Sequence, residues 1–324
     1  MKQTDEPAQV QKILDEVTAE VRKAAPGLYE EAVERAKQRG RPRPRKADFD
    51  RFAIAVFGRD GSLTSAGNAG VTFPLQSISK AFALEVALAA LGDQVWERVD
   101  KEPSGDPFSS IVDMERLKGI PRNPFINPGA LVVCDMLAGL GGPVRFDKHV
   151  QHFVEQMLDG QKVELHKGVM DSDRTGGNLN RSHMFMAKHH GNLNHPVEKV
   201  MDAYKLQCAI MLDCRGLAKV GRFLLRSMEP NISEKKRQAV LRARRVLSVM
   251  MLCGQYDGAG DFAYRVGLPA KSGVGGGILA IAPTRASIAV WSPALDKSGN
   301  SILGALALEL LVNKTDWSVF AGMA

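Results

Sequence analysis

The chain has 324 residues, 44% of them hydrophobic and 24% charged, which is an ordinary globular composition and long enough to bury a core without disulfides or metals. Its formal charge of +7 is partly concentrated in one run, Arg39 to Lys46, where alternating prolines forbid a helix and no aromatic residue offers a platform for base stacking. That run reads as a solvated linker, with nucleic-acid contact as the weaker alternative.

The N-terminus is charged and carries no apolar signal core, and no stretch reaches 18 apolar residues, so the expectation is a cytoplasmic protein with no membrane contact. Val10 to Ala25 has the spacing of an amphipathic helix (Ile13, Val17, Val21), which Pro26 is expected to end. Leu28 to Gln38 reads as a second helix. Residues 1–45 are therefore expected to form a helical cap and basic linker, and residues 46–324 a catalytic domain with a helical insertion over about 93–250.

"FAIAVFG", Phe52 to Gly58, is the first strand signal, and Asp60-Gly61 turns it into a partner, "SLTSAG". Ser77 to Leu91 lacks Pro and Gly and reads as a buried helix that Ser77 or Ser79 caps. Further helices are expected at Asn127–Leu140, Val197–Met211, Leu217–Met228 and Ile232–Met251. The last of these has a basic face of Lys235, Lys236, Arg237, Arg242, Arg244 and Arg245. Strands return at Gly277–Pro283 and Ser287–Pro293, and a helix over Ser301–Asn313 closes the chain. Strands at both ends with helices between them fit one antiparallel sheet covered by helices, beside a helical subdomain. Cys134, Cys208, Cys214 and Cys253 form no CxxC pair and sit in apolar helical contexts, so they read as buried free thiols.

Ser77-Ile78-Ser79-Lys80 is an S-x-x-K. Serine needs a base, and a lysine three residues on along a helix shares its face. Burial lowers a lysine's pKa enough for that role near neutral pH. Taken alone the pattern is also an ordinary helix start. Lys271-Ser272-Gly273 precedes a glycine run and a strand; in S-x-x-K enzymes such a strand walls the other side of the cleft, and its backbone N–H can complete an oxyanion hole. The bland alternatives are a phosphate loop or a plain turn, but a phosphate loop needs the lysine after the glycines and a helix to follow.

Five ordered segments, "FPLQSISKAFAL", "EPSGDPFSS", "PRNPFINPGA", "CGQYDGAGDFAYRVGLPAKSGVGGGI" and "SPALDKSGNS", resemble the signatures of the serine-dependent glutaminase family. The resemblance runs from about Phe52 to Leu311. It implies an α/β fold of the serine β-lactamase/DD-peptidase type and hydrolysis of L-glutamine to glutamate and ammonia. It implies Ser77 as nucleophile, Lys80 as its proton partner and Tyr256 as proton relay. Gln76, Asn127, Asp173, Asn180, Tyr204 and Val274 are the implied substrate contacts, with Ser77 and Tyr256. No metal or organic cofactor is expected; His189-His190 reads as a surface pair. A homo-oligomer, dimer or tetramer, is implied.

The departures are specific. Asp173 stands where the resemblance implies a glutamate, Pro128 where it implies alanine, and Gln255 where methionine is usual. The best register puts Ala24 where a gating tyrosine precedes a proline. These departures leave open a same-fold amidase for another amide, or a catalytically weak regulatory homologue. A penicillin-interacting enzyme shares both short motifs, but the missing signal peptide argues against it.

Overall fold

The protein was described from a computed structural model, which covers residues 6–104, 111–228 and 233–321, with the side chains of 173–176, 228 and 235 left aside. Part of the "EPSGDPFSS" segment, 105–110, therefore lies outside the described residues. Strands β1 (Ala53–Gly58), β2 (Leu63–Gly67), β5 (Ala270–Ser272), β6 (Gly277–Ala282) and β7 (Ala286–Trp291) form one antiparallel sheet in the order β2-β1-β7-β6-β5. The first strand pairs with the last, Ala55 opposite Ala289, so the ends of the sequence close the sheet. A two-residue pair, β3 (Phe73–Pro74) with β4 (Met211–Leu212), stands apart from it.

Alternating side chains sort the sheet into two faces. Ile54, Val56, Ile278, Ala280, Ile288 and Val290 pack in one core cluster with α1 (Pro7–Gln38) and α13 (Ile302–Thr315). Ala53, Ala55, Leu279, Ile281, Ala289 and Trp291 belong to the other cluster, with the helices between the strands. The helices between the strands are α2 (Ser79–Leu91), α3 (Val95–Arg98), α4 (Val112–Arg116), α5 (Asn127–Ala138), α6 (His149–Met157), α7 (Lys167–Met170), α8 (Asp173–His189), α9 (Val197–Ala209), α10 (Cys214–Val220), α11 (Glu234–Cys253) and α12 (Ala259–Arg265), of which α7 buries no side chain and α12 gives Phe262 to the first cluster. The antiparallel sheet flanked by helices is the expected fold class.

Pro26 does not end a helix: α1 runs unbroken through it. Val10, Ile13, Leu14, Val17, Val21, Ala25 and Tyr29 form one buried stripe that crosses the proline. An internal proline costs about 3 kcal/mol. Each buried aliphatic side chain contributes roughly 1.5–3 kcal/mol, so tertiary packing outweighs the break. Ala24 lies within this helix, which packs on β2 and α13, so the register that set it in a gating loop does not bring it to the cavity described below.

Two other boundaries differ. The apolar periodicity over Leu217–Met228 divides into α10 and a 3-10 segment, Gly221–Met228. Neither Ser77 nor Ser79 caps α2; a 3-10 turn over Gln76–Ile78 runs straight into it, and Ser79 Oγ donates back to the Gln76 carbonyl at 2.7 Å. The basic face of α11 is partly neutralised, since Arg242 reaches Glu85 (3.3 Å) and Arg245 pairs with Asp93. The linker is tied down as well: Arg43 Nε donates to the Tyr29 hydroxyl (2.9 Å) and Arg45 pairs with Asp48 (2.8 Å). Cys134, Cys208 and Cys214 are buried free thiols, whereas Cys253 is only partly buried. His189 and His190 are exposed, their rings in edge contact.

Candidate active site

A cavity of about 430 Å³ opens between the sheet and the helical region. Ser77, Gln76, Asn127, Asn180, Tyr204, Tyr256 and Val274 all line it. The sequence separates these residues by up to 198 positions, and four local devices bring them together.

The first is the 3-10 turn that carries Ser77 into α2 and sets Lys80 in the helix's first turn. Lys80 is 2% exposed. Its Nζ donates to Asn127 Oδ1 (2.8 Å) and to the Phe125 carbonyl (3.1 Å). Burial pushes the Lys80 amine down to about 8, opposed by nearby Cys208 and Cys134. The second device is α5, which begins at Asn127. Pro128 falls in its first turn, where the missing N–H has no intrahelical partner to lose, so the proline departure is structurally benign. Asn127 Oδ1 also accepts from the Tyr204 hydroxyl (3.3 Å), and its Nδ2 donates to Asn180 Oδ1 (3.3 Å). The amide thus joins α2, α8 and α9.

The third device is the turn at Tyr256, a non-glycine residue with φ 52°. Its hydroxyl donates to the Ser272 carbonyl (3.2 Å) and is hydrogen-bonded to Ser77. Burial pushes the Tyr256 phenol up to about 12, with the Ser77 hydrogen bond opposing, so it is a neutral donor at physiological pH. Gln76 (φ 48°) shares the left-handed conformation; such positions cost on the order of 1–3 kcal/mol and concentrate at functional sites.

The fourth device is the glycine run. A Cβ at Gly273 would collide with the Leu75 carbonyl, and one at Gly275 with the Pro74 carbonyl. Only glycine lets the β5–β6 wall press against the segment that carries Ser77. The hydrogen bonds of these two turns are made by neighbours: Ile78 N to Leu75 O, Gly273 N to Gly277 O and Gly276 N to Gly273 O. Among the described residues the backbone N–H groups of Ser77 and Val274 take no backbone partner, and both residues line the cavity. That is the pair an oxyanion hole needs.

In the resting site Lys80 is held by Asn127 and Phe125, and Ser77 by Tyr256, rather than by each other. Asp173 opens α8, but its side chain lies outside the described residues. Gln255 is buried; its Oε1 accepts from Ser272 Oγ (2.8 Å), and its carbonyl accepts from Asn300 Nδ2 (3.1 Å), bracing the turn before Tyr256.

Several wall residues escaped the sequence reading. Lys271 was legible only as part of a motif. It is fully buried, its Nζ donates to Gly254 O (3.1 Å) and Ser272 O (2.7 Å), and it lies 4.4 Å from the Tyr256 ring centroid. Burial, reinforced by Lys80, holds its amine well below the ordinary lysine range. Met201, Lys205 and Cys208 line the cavity beside Tyr204. Their helical spacing around Tyr204 was the signal available. Among the described residues no group of three or more His, Cys, Asp or Glu is placed to hold a metal, and no helix is long and apolar enough to cross a membrane.

A serine at the start of a buried helix, a buried lysine one turn on and a glycine-rich strand across the cavity are the layout of the serine β-lactamase-like fold. The sequence profile of the glutaminase family matches residues 41–320. A glutaminase of Rhizobium rhizogenes is 44% identical over 313 residues, covering 97% of this chain and 99% of its own length. One of Pseudoalteromonas atlantica is 47% identical over 273 residues, 84% of this chain and 89% of its own. A probable glutaminase of Bacillus subtilis superimposes with a TM-score of 0.79 at 29% identity, covering 95% of this chain and 97% of the other. The Bacillus subtilis glutaminase YbgJ, solved as a covalent complex with 5-oxo-L-norleucine, superimposes with a TM-score of 0.70 at 28% identity, over 83% of this chain and 89% of its own. The chain belongs to the glutaminase family, and is an amidohydrolase of that type.

Proposed function

We propose that this amidohydrolase turns L-glutamine into L-glutamate and ammonia through an acyl-enzyme on Ser77. One observation carries the reading: Lys80, fully buried one helical turn after Ser77, is anchored 2.8 Å from Oδ1 of Asn127, which lines the same cavity as Ser77, and burial brings its pKa down to about 8. The neutral Lys80 amine takes the Ser77 proton as Oγ attacks the γ-carbonyl carbon. The N–H groups of Ser77 and Val274 hold the oxyanion. Tyr256 gives its proton to the departing nitrogen and is reprotonated from Lys80, so the C–N bond breaks to release ammonia and the lysine is neutral again. Water then attacks the γ-glutamyl ester, Lys80 takes its proton and returns it to Ser77 Oγ as the ester C–O bond breaks, and glutamate leaves with Ser77 restored. Asn127, Asn180 and Tyr204 bind the substrate's polar atoms, with Gln76 beside them; Asp173 is proposed to face its α-ammonium group. The covalent adduct of the related YbgJ with 5-oxo-L-norleucine supports a reaction that runs through a protein nucleophile.

Four buried or partly buried free thiols support a reducing, cytoplasmic setting. Residues 1–45 are read as cap and linker to a catalytic domain of 46–324, with a helical insertion over about 93–250. A homo-oligomer, dimer or tetramer, fits the apolar side chains left outside, such as Phe185 (59% exposed) and Phe320 (73%); light scattering on the purified chain settles the number. Steady-state ammonia release from glutamine tests the main reading. Turnover is expected for the unaltered chain and none for Ser77→Ala with its thermal unfolding unchanged; no turnover by the unaltered chain overturns it.

A further inference from the structure

Glutamine carries an α-carboxylate, and the residues proposed above to grip it, Asn127, Asn180 and Tyr204, bear no charge that answers a carboxylate. Lys205 supplies one. Met201, Tyr204, Lys205 and Cys208 are all on α9 and all line the cavity. Their spacing, i, i+3, i+4 and i+7, is one face of a helix. Among the described residues of the lining, Lys205 carries the only charge. Its side chain is 18% exposed, and its Nζ lies 3.1 Å from Asp202 Oδ1, one turn back on the same helix. Asp202 is 57% exposed, so water competes for that pair, which is one of the contacts Lys205 makes. A long, flexible ammonium can exchange such a contact for an incoming anion, whose charge it meets in a half-enclosed cavity rather than in open water.

We infer that Lys205 receives the substrate's α-carboxylate and so selects α-amino acid amides over amides that lack the acid. This rests on the glutaminase reading but adds a residue and a selectivity to it. Lys205 touches no reacting atom; its effect falls on binding. The residue lies next to Tyr204, whose hydroxyl reaches Asn127, so a carboxylate held there sits at the α9 wall while the amide end points toward Ser77.

The test compares L-glutamine with 4-aminobutanamide, its analogue without the carboxylate, in the full-length chain and in Lys205→Met and Lys205→Arg. The unaltered chain prefers glutamine on kcat/KM. Lys205→Met is expected to reduce that preference about 10- to 100-fold, the range of one charge-assisted hydrogen bond, mainly through KM for glutamine. Lys205→Arg keeps most of the preference; a purely structural role for the lysine stem would not separate it from Lys205→Met, which keeps a similar stem without the charge. Equal losses on both amides, or a Lys205→Met variant with unchanged preference, overturn the inference and leave the glutaminase reading standing. Failure of the unaltered chain to turn over glutamine overturns both.

Discussion

Lys80 Nζ and Asn127 Oδ1 lie 2.8 Å apart, joining the first turn of α2 to the first residue of α5. The contact fixes where the lysine's remaining lone pair or proton points. It also ties the base to the amide that reaches Tyr204 and Asn180. The proposed base and the proposed substrate contacts therefore belong to one hydrogen-bonded network, and changes to either partner are expected to have separable effects on rate and stability.

Lys80→Met removes the amine but keeps the length of the side chain. Loss of a general base is expected to lower kcat by roughly 10²- to 10⁴-fold. Replacing a desolvated amine with an apolar group is neutral or stabilising. Calorimetry should then show an unfolding temperature equal to or above that of the unaltered chain, while ammonia release collapses. A variant that is both inactive and strongly destabilised would mean that Lys80 serves the fold.

The pH profile follows from burial. Only the neutral Lys80 amine accepts a proton, and its pKa is brought down to about 8, so kcat/KM is expected to rise with pH through about 8. The rise continues to a plateau, because the Tyr256 phenol stays protonated until about 12. Stability moves the same way. Between about pH 8 and the ordinary lysine value of 10.5 the unfolded chain binds more protons at Lys80 than the folded one, so this group's contribution to stability grows across that window. Rate and denaturation profiles over pH 6–10.5 check both. A rate limb centred near pH 10.5 would remove Lys80 from the role of base.

Gly273→Ala forces a Cβ into the Leu75 carbonyl. The two walls must separate, at a cost of about 1–3 kcal/mol, as overpacked cores show. Since the displaced wall carries Val274, kcat should fall at least about tenfold, given that one oxyanion donor is worth more than that. Denaturant unfolding and steady-state kinetics on the same preparation measure the two effects.

Pro26→Ala tests the continuity of α1. An internal proline costs about 3 kcal/mol, and its rigidity in the unfolded chain returns up to about 1, so the substitution should stabilise by about 2 kcal/mol. The urea midpoint is expected to rise with activity unchanged. A fall in the midpoint would mean that the chain needs a break at residue 26.

Local chemistry was readable in the sequence where it depends on near neighbours. Ser77 and Lys80 are three residues apart, the glycine run follows Lys271 directly, and the Asp60-Gly61 hairpin lies between its own strands. Long-range geometry was not readable. That Lys80 answers to Asn127, 47 residues away, and that α9 lays Lys205 along the same wall as Tyr204, depend on how α2, α5 and α9 pack. Local rules also failed where burial overrode them. Pro26 was expected to stop a helix, but the apolar stripe from Val10 to Tyr29 carries α1 through it. The serines before α2 were expected to cap it, but Ser79 turns back to Gln76 and Ser77 to Tyr256.

The most direct test of the account is to treat the chain with 6-diazo-5-oxo-L-norleucine, digest it and locate the adduct by mass spectrometry. A single covalent modification on the Ser77 peptide, absent from Ser77→Ala and slowed in Lys80→Met, is the predicted result. No adduct, or one that forms elsewhere and persists in Ser77→Ala, would contradict it.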